Sequence, residues 1–172
     1  MNVFKDARAL KLVAILGAAL AIAACSKNPD ELGAGAGGVG LASSGGVATP
    51  GSPRDFTVNV GDRVFFDTDS TELSAQAQNT LNNQARWLQR YPNYNFIIEG
   101  HADERGTREY NFALGERRAE ITKQYLVAKG ISPSRMRTIS YGKERPVAVC
   151  NNESCWSQNR RAVTVLRTRG QS

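Results

Sequence analysis

Between residues 28 and 53 the chain offers almost nothing to bury. It runs through Gly33-Ala34-Gly35-Ala36-Gly37-Gly38, then Ser43-Ser44-Gly45-Gly46, then Pro50-Gly51-Ser52-Pro53. Such a composition cannot offset the entropy lost on ordering, so this stretch is expected to be a flexible tether. Its r.m.s. span would be about 30 Å. Folding is thereby confined to the C-terminal part of the chain, about 115 residues, enough for one domain with one core.

Ahead of the tether stand Lys5, Arg8 and Lys11, an apolar run from Leu12 to Ala24, and Cys25. A basic start, a short apolar stretch and small residues at a cleavage point read as a secretory signal over residues 1–24. The apolar run is shorter than the roughly 20 residues needed to cross a bilayer. Ile22-Ala23-Ala24-Cys25 resembles the bacterial lipobox. That resemblance implies a mature chain beginning at Cys25, carrying an S-diacylglycerol and an N-palmitoyl group. Two or more acyl chains anchor stably where one does not. Ser26, rather than Asp, after the cysteine favours the outer membrane by the same analogy.

The domain, taken as residues 55–172 after a 25–54 lipidated linker, reads as alternating elements. A strand is expected over Arg63 to Thr68 and a helix over Ser74 to Gln89. In that helix Ala77, Leu81, Ala85 and Leu88 recur at helical spacing. A second strand spans Tyr94 to Glu99. A second helix begins at Thr107 or Arg108, with Thr107 as N-cap, and runs to Lys129, closed by Gly130. Strands come next at Met136 to Tyr141 and Ala162 to Leu166. The order β-α-β-α-β-β predicts an α+β sandwich, with helices packed on a mixed four-stranded sheet.

Cys150 and Cys155 remain. In an exported chain they are expected to close a disulfide, contributing less than about 3 kcal/mol because the loop is short. A metal site would need further His or Cys ligands nearby. The formal charge is +6, and falls to +4 without residues 1–24. Arg160, Arg161, Arg167 and Arg169 lack interleaved aromatic platforms, which argues against nucleic acid. His101 is the one histidine and reads as a strand-end residue fixed by a backbone hydrogen bond. No nucleophile elbow, phosphate loop or acid/base carboxylate pair is present, so no enzyme, metal or cofactor is expected.

The most informative stretch is Gly100 to Ala119. Gly100 and Gly106 punctuate a polar loop, and Asn111, Leu114 and Arg118 share one face of the helix after it. Asp103 in the loop and Arg118 on the helix make a site of two signs, suited to a ligand with both an ammonium and a carboxylate. As bare residue types they read first as a turn aspartate and a solvated helix arginine.

This stretch resembles the signature of the OmpA-like peptidoglycan-binding domain, over roughly Val64 to Arg167. The resemblance implies a non-catalytic protein whose Asp103 and Arg118 hold the free amino and carboxyl groups of the peptide-stem diaminopimelate. By the same likeness Thr68, Asp69, Arg105 and Thr107 contact the ligand, and Leu114 packs on its aliphatic part. Thr107 reads equally as an N-cap, Asp69 as a turn residue, Leu114 as core, and Asn111 as a brace for the loop. Ala substitution of Asp103 or Arg118 is expected to abolish wall binding and leave the fold intact. Lipoproteins of this family tether the outer membrane to the wall from the periplasm, act in constriction at division, and bind TolB and other Tol-system proteins. An envelope hydrolase would need a catalytic constellation, and a flagellar stator subunit a transmembrane helix ahead of the domain.

Overall fold

The computed structural model describes residues 48–167. The expected signal peptide, Cys25 and most of the tether lie outside the described residues, as does Arg169.

The fold begins earlier than residue 55. Ser52 caps a short helix, α1 (Pro53–Asp55), by accepting from the Asp55 N–H at 3.1 Å. The Asp55 carboxylate accepts from Gly51 N at 2.9 Å and from Trp87 Nε1 at 2.8 Å. Tyr94 Oη donates to the Gly51 carbonyl at 2.8 Å. A π-helical segment, Phe56–Gly61, comes next and buries Phe56 against Trp87, ring centroids 4.9 Å apart. Residues 48–54 are thus part of the folded unit. Their Gly/Pro composition serves a tight cap rather than a free tether.

The longer elements are β1 (Arg63–Phe65), α2 (Ala75–Arg90), β2 (Asn95–His101), α3 (Arg108–Ala128), β3 (Met136–Gly142), α4 (Glu153–Asn159) and β4 (Arg161–Arg167). The sheet order is β1-β4-β2-β3. β4 runs antiparallel to both neighbours, and β2 and β3 are parallel. This is the expected α+β architecture on a mixed four-stranded sheet. Phe96 and Ile98 point from β2 into the core, where they meet Leu81, Ala85 and Leu88 of α2 and Ala119 and Leu126 of α3. Each fully buried leucine or phenylalanine is worth about 1.5–3 kcal/mol relative to exposure.

Both helix ends that the sequence marked are present. Thr107 Oγ1 accepts from Tyr110 N at 3.2 Å. At the far end Gly130 takes φ +89°, Gly130 N reaches Val127 O and Ile131 N reaches Leu126 O, the paired closure that needs a residue without a side chain. Gly100 is different: it lies within β2 and faces Gly115 of α3, so it serves close packing rather than a loop.

Two expectations change. β1 stops at Phe65 rather than Thr68, because residues 67–70 turn away and aim their carbonyls at α3, with Asp69 at φ +52°. α4 leaves no mark in the sequence, since it is seven residues long and carries no apolar repeat. Asn152 caps it, its side chain accepting from Ser154 N at 3.0 Å. The structure joins Cys150 to Cys155, Cα atoms 5.7 Å apart, across the start of α4.

Candidate functional site

α3 sets the site. On a helix, side chains three, four and seven positions apart stack along one face. Asn111, Leu114 and Arg118 all turn inward, whereas Arg117 next to Arg118 is exposed. Together with the 103–106 loop and the 67–70 turn they line a cavity of about 330 Å³. Its walls are Thr68, Asp69, Asp103, Arg105, Gly106, Tyr110, Asn111, Leu114 and Arg118. Seven of the eight expected ligand residues are therefore gathered in one place. Thr107 is not on the wall; its hydroxyl is spent capping α3. A larger cavity, about 550 Å³, sits by Phe112, Tyr141 and Lys143, but its acidic and arginine side chains are exposed and it lacks a buried charge.

Arg118 is fully buried, not solvated. Its Nε donates to Ser70 O at 2.9 Å, Nη1 to His101 O at 2.9 Å and Nη2 to Asp67 O at 3.1 Å. The guanidinium lies 5.1 Å from the Phe66 ring centroid. Among the described residues no carboxylate is within ion-pair distance of it. Burial, with Arg160 nearby, pulls its pKa down to about 10, still charged at neutral pH. A guanidinium has five N–H groups, so one remains on each terminal nitrogen beyond these three bonds. Those two N–H groups are what Arg118 could offer an anion, and the nearby Asp103 and Asp69 charges offset part of the cost of its burial.

The same observation corrects one expectation. Removing Arg118 would orphan three backbone carbonyls, so Ala at this position is expected to cost stability.

Asp103 is 7% exposed and is already engaged. Its Oδ1 accepts from Arg105 N and Nε, each at 3.2 Å, the first closing the local turn. Oδ2 accepts from Arg105 Nη2 at 2.7 Å and from Arg160 Nη1 at 3.4 Å. Burial pushes the Asp103 carboxyl up, but these hydrogen bonds and the Arg105 charge outweigh it and hold the pKa below the usual range. A ligand ammonium must share Asp103 with Arg105. Asp69 is the second carboxylate, accepting from Tyr110 Oη. Asn111 donates to Arg105 O at 2.6 Å and so braces the loop.

Arg160, Tyr110 and Trp156 escape the sequence reading. Arg160 lies 57 residues beyond Asp103, and no local pattern links the two. Its sequence context reads as surface charge, yet Arg160 and Arg161 are each only 4% exposed. His101 also differs from expectation. Neither ring nitrogen has a hydrogen-bond partner, and it is the carbonyl of His101 that serves Arg118.

A four-stranded mixed sheet under two helices, with a half-open pocket of buried opposite charges at the start of the second, defines an OmpA-type domain. The chain belongs to the OmpA family, whose model matches residues 65–161. It is 66% identical over 150 residues to the peptidoglycan-associated lipoprotein of Rhizobium meliloti, covering 86% of this chain and 82% of that protein. It is 40% identical over 151 residues to the protein of the same name from Pseudomonas aeruginosa, covering 85% and 89%. The crystal structure of the peptidoglycan-associated lipoprotein from Burkholderia pseudomallei is similar with TM-score 0.63 and 39% identity, covering 67% of this chain and all of that one. The C-terminal domain of Helicobacter pylori MotB shares the fold alone, with TM-score 0.59 at 20% identity, covering 63% of this chain and 86% of that one. Membership of this family makes the chain a structural protein rather than an enzyme. No helix among the described residues is long and apolar enough to cross a membrane.

Proposed function

We propose that this chain tethers the outer membrane to the cell wall by gripping peptidoglycan noncovalently in the α3 pocket. The observation that carries the reading is Arg118, a buried cation with no carboxylate in ion-pair distance among the described residues, lining the same cavity as Asp69 and Asp103. The names of the relatives support the choice of wall ligand. A diaminopimelate centre has the matching groups. Its carboxylate takes the two spare N–H groups of Arg118, its ammonium meets Asp103 or Asp69, and its methylenes lie on Leu114. Each charge-assisted hydrogen bond contributes about 1.5–3 kcal/mol net. Selectivity comes from needing both free groups, because a crosslinked or amidated centre leaves one partner unpaired.

In this reading Cys25 carries the lipid that holds the outer membrane, and residues 26–47 provide reach for a domain facing the periplasm. TolB and other Tol-system proteins are the protein partners, acting in envelope constriction at division. The test is calorimetric titration of the full chain in detergent with a diaminopimelate stem peptide and with its amidated form. Binding of the free form alone is the expected result. Equal binding of the two forms, or of neither, removes the site assignment.

A further inference from the structure

Both arginines that hold Asp103 rest on one short helix. The Arg105 guanidinium lies over the Trp156 ring, 4.2 Å from its centroid, and the Trp156 indole N–H donates to the neighbouring Glu104 carboxylate. Arg160 pairs with Glu153 while its Nε donates to Phe66 O at 3.1 Å. Trp156 and Glu153 both belong to α4.

α4 has little of its own to keep it in place. Asn159 is its one buried residue, and its side chain accepts from Val147 N and Ala148 N and donates to Ala148 O. That fixes the C-terminal end. The N-terminal end has the Asn152 cap and the Cys150–Cys155 disulfide. With so little apolar burial, a covalent link at that end decides how firmly the Trp156 ring is presented to Arg105.

We propose that Trp156 is a positioning residue for the pocket and that the Cys150–Cys155 disulfide fixes its place, so that ligand affinity depends on the redox state of this pair. The inference rests on the reading of the α3 pocket as the wall-ligand site. Trp156 need not touch ligand. It holds Arg105, and Arg105 holds the Asp103 carboxylate and, at 3.4 Å, the Thr68 hydroxyl on the opposite wall. Reduction by a dithiol, which becomes a disulfide, transfers two electrons and two protons, giving two thiols and leaving the start of α4 with its Asn152 cap but without the covalent tie. The arginine then loses its platform, and the carboxylate is oriented less firmly, by the Arg105 backbone N–H and Arg160.

The test uses the full chain in detergent, titrated with diaminopimelate stem peptide. Five forms are compared: the oxidised protein, the protein reduced with dithiothreitol, the Cys150→Ser/Cys155→Ser double variant, Trp156→Ala and Trp156→Phe. Loss of a solvent-exposed cation–π contact predicts roughly two- to fivefold weaker binding for Trp156→Ala and for both forms without the disulfide. Trp156→Phe keeps a ring face and is expected within about twofold of the parent. Carboxyl-carbon NMR provides a second readout, since Asp103 in Trp156→Ala titrates at higher pH once Arg105 is released. Parent-like affinity in the reduced protein and in Trp156→Ala overturns the proposal, and so does Trp156→Phe binding as weakly as Trp156→Ala. If Trp156→Ala fails to fold by circular dichroism, the reduced parent and Trp156→Phe decide the matter. Failure of the oxidised parent to bind sinks the pocket reading itself, a result distinct from a parent that binds and variants that match it.

Discussion

Gly115 of α3 lies against Gly100 of β2 so closely that a Cβ on Gly100 would fall 1.8 Å from the Gly115 carbonyl oxygen. Helix and strand meet backbone to backbone at this point. One turn further along α3, Arg118 can therefore reach the His101 carbonyl one residue beyond Gly100. The packing of two glycines and the burial of a charge are one arrangement.

Gly115→Ala tests that arrangement. The new methyl would lie 2.4 Å from Ser140 Oγ and 2.9 Å from Gly100 O, and β3 leaves it little room. Overpacking of this kind costs about 1–3 kcal/mol. Urea unfolding is expected to show that loss, and stem-peptide titration a weaker pocket, because α3 must lift from the sheet.

Arg118→Lys separates charge from shape. An ammonium keeps the charge but cannot serve three carbonyls and a bidentate anion together. Stability is expected to fall by about 2 kcal/mol or more through unsatisfied acceptors. Binding of the stem peptide should be lost even at temperatures where the variant is folded. Retained affinity, measured by calorimetry, would show that Arg118 serves the fold alone.

Thr107→Ala is the contrasting case. Its hydroxyl caps α3 and lies off the pocket wall. The expected result is about 1 kcal/mol of lost stability, read by thermal unfolding, with unchanged peptide affinity.

His101 gives a pH dependence. Burial first, then Arg161 and Arg145, drop its pKa from 6.5 to about 3. Between those values the unfolded chain binds a proton that the folded chain refuses, so stability falls as pH drops through 6. The slope is at most about 1.4 kcal/mol per pH unit. His101→Phe removes the titrating group without orphaning a hydrogen bond, since neither ring nitrogen makes one and Nε2 lies 3.6 Å from the Glu99 carboxylate. Denaturant melts between pH 6.5 and 5 are expected to be flatter for the variant than for the parent.

The N-terminal edge can be tested by trimming. A chain beginning at residue 55 loses the Ser52 cap and the Gly51 bonds to Asp55 and Tyr94. Compared with one beginning at residue 44 it should be less stable by about 1–2 kcal/mol, seen as a lower Tm.

The long elements were legible because their periods are unambiguous. Ala77, Leu81, Ala85 and Leu88 allow one helix face, and Thr107 and Gly130 mark the two ends of α3. The shared face of Asn111, Leu114 and Arg118 was also legible, and with it most of the pocket wall. What Arg118 does there was not. Arg117 and Arg118 look alike in sequence and differ only by a 100° turn of the helix, which puts one in water and the other under three carbonyls. Those carbonyls come from residues 67, 70 and 101, and backbone acceptors carry no signature in a sequence. Arg160 is misleading for a related reason: its partners, Asp103 and Phe66, are set by the sheet order and not by spacing. Residues 48–54 resemble the tether in composition, and only the distant side chains of Trp87 and Tyr94 distinguish them.

The placement of β4 bears on how the domain comes into being. The last strand among the described residues is an inner one, inserted between β1 and β2, with Val64 opposite Ala162. A polypeptide delivered amino end first must keep β1 unpaired until nearly the whole domain has emerged, and pairing across such a separation is slow. Arg160 arrives immediately before β4 and brings Asp103 its second guanidinium in the same event. A chain cut short before residue 160 would therefore lack both the strand that joins β1 to β2 and the second guanidinium on Asp103.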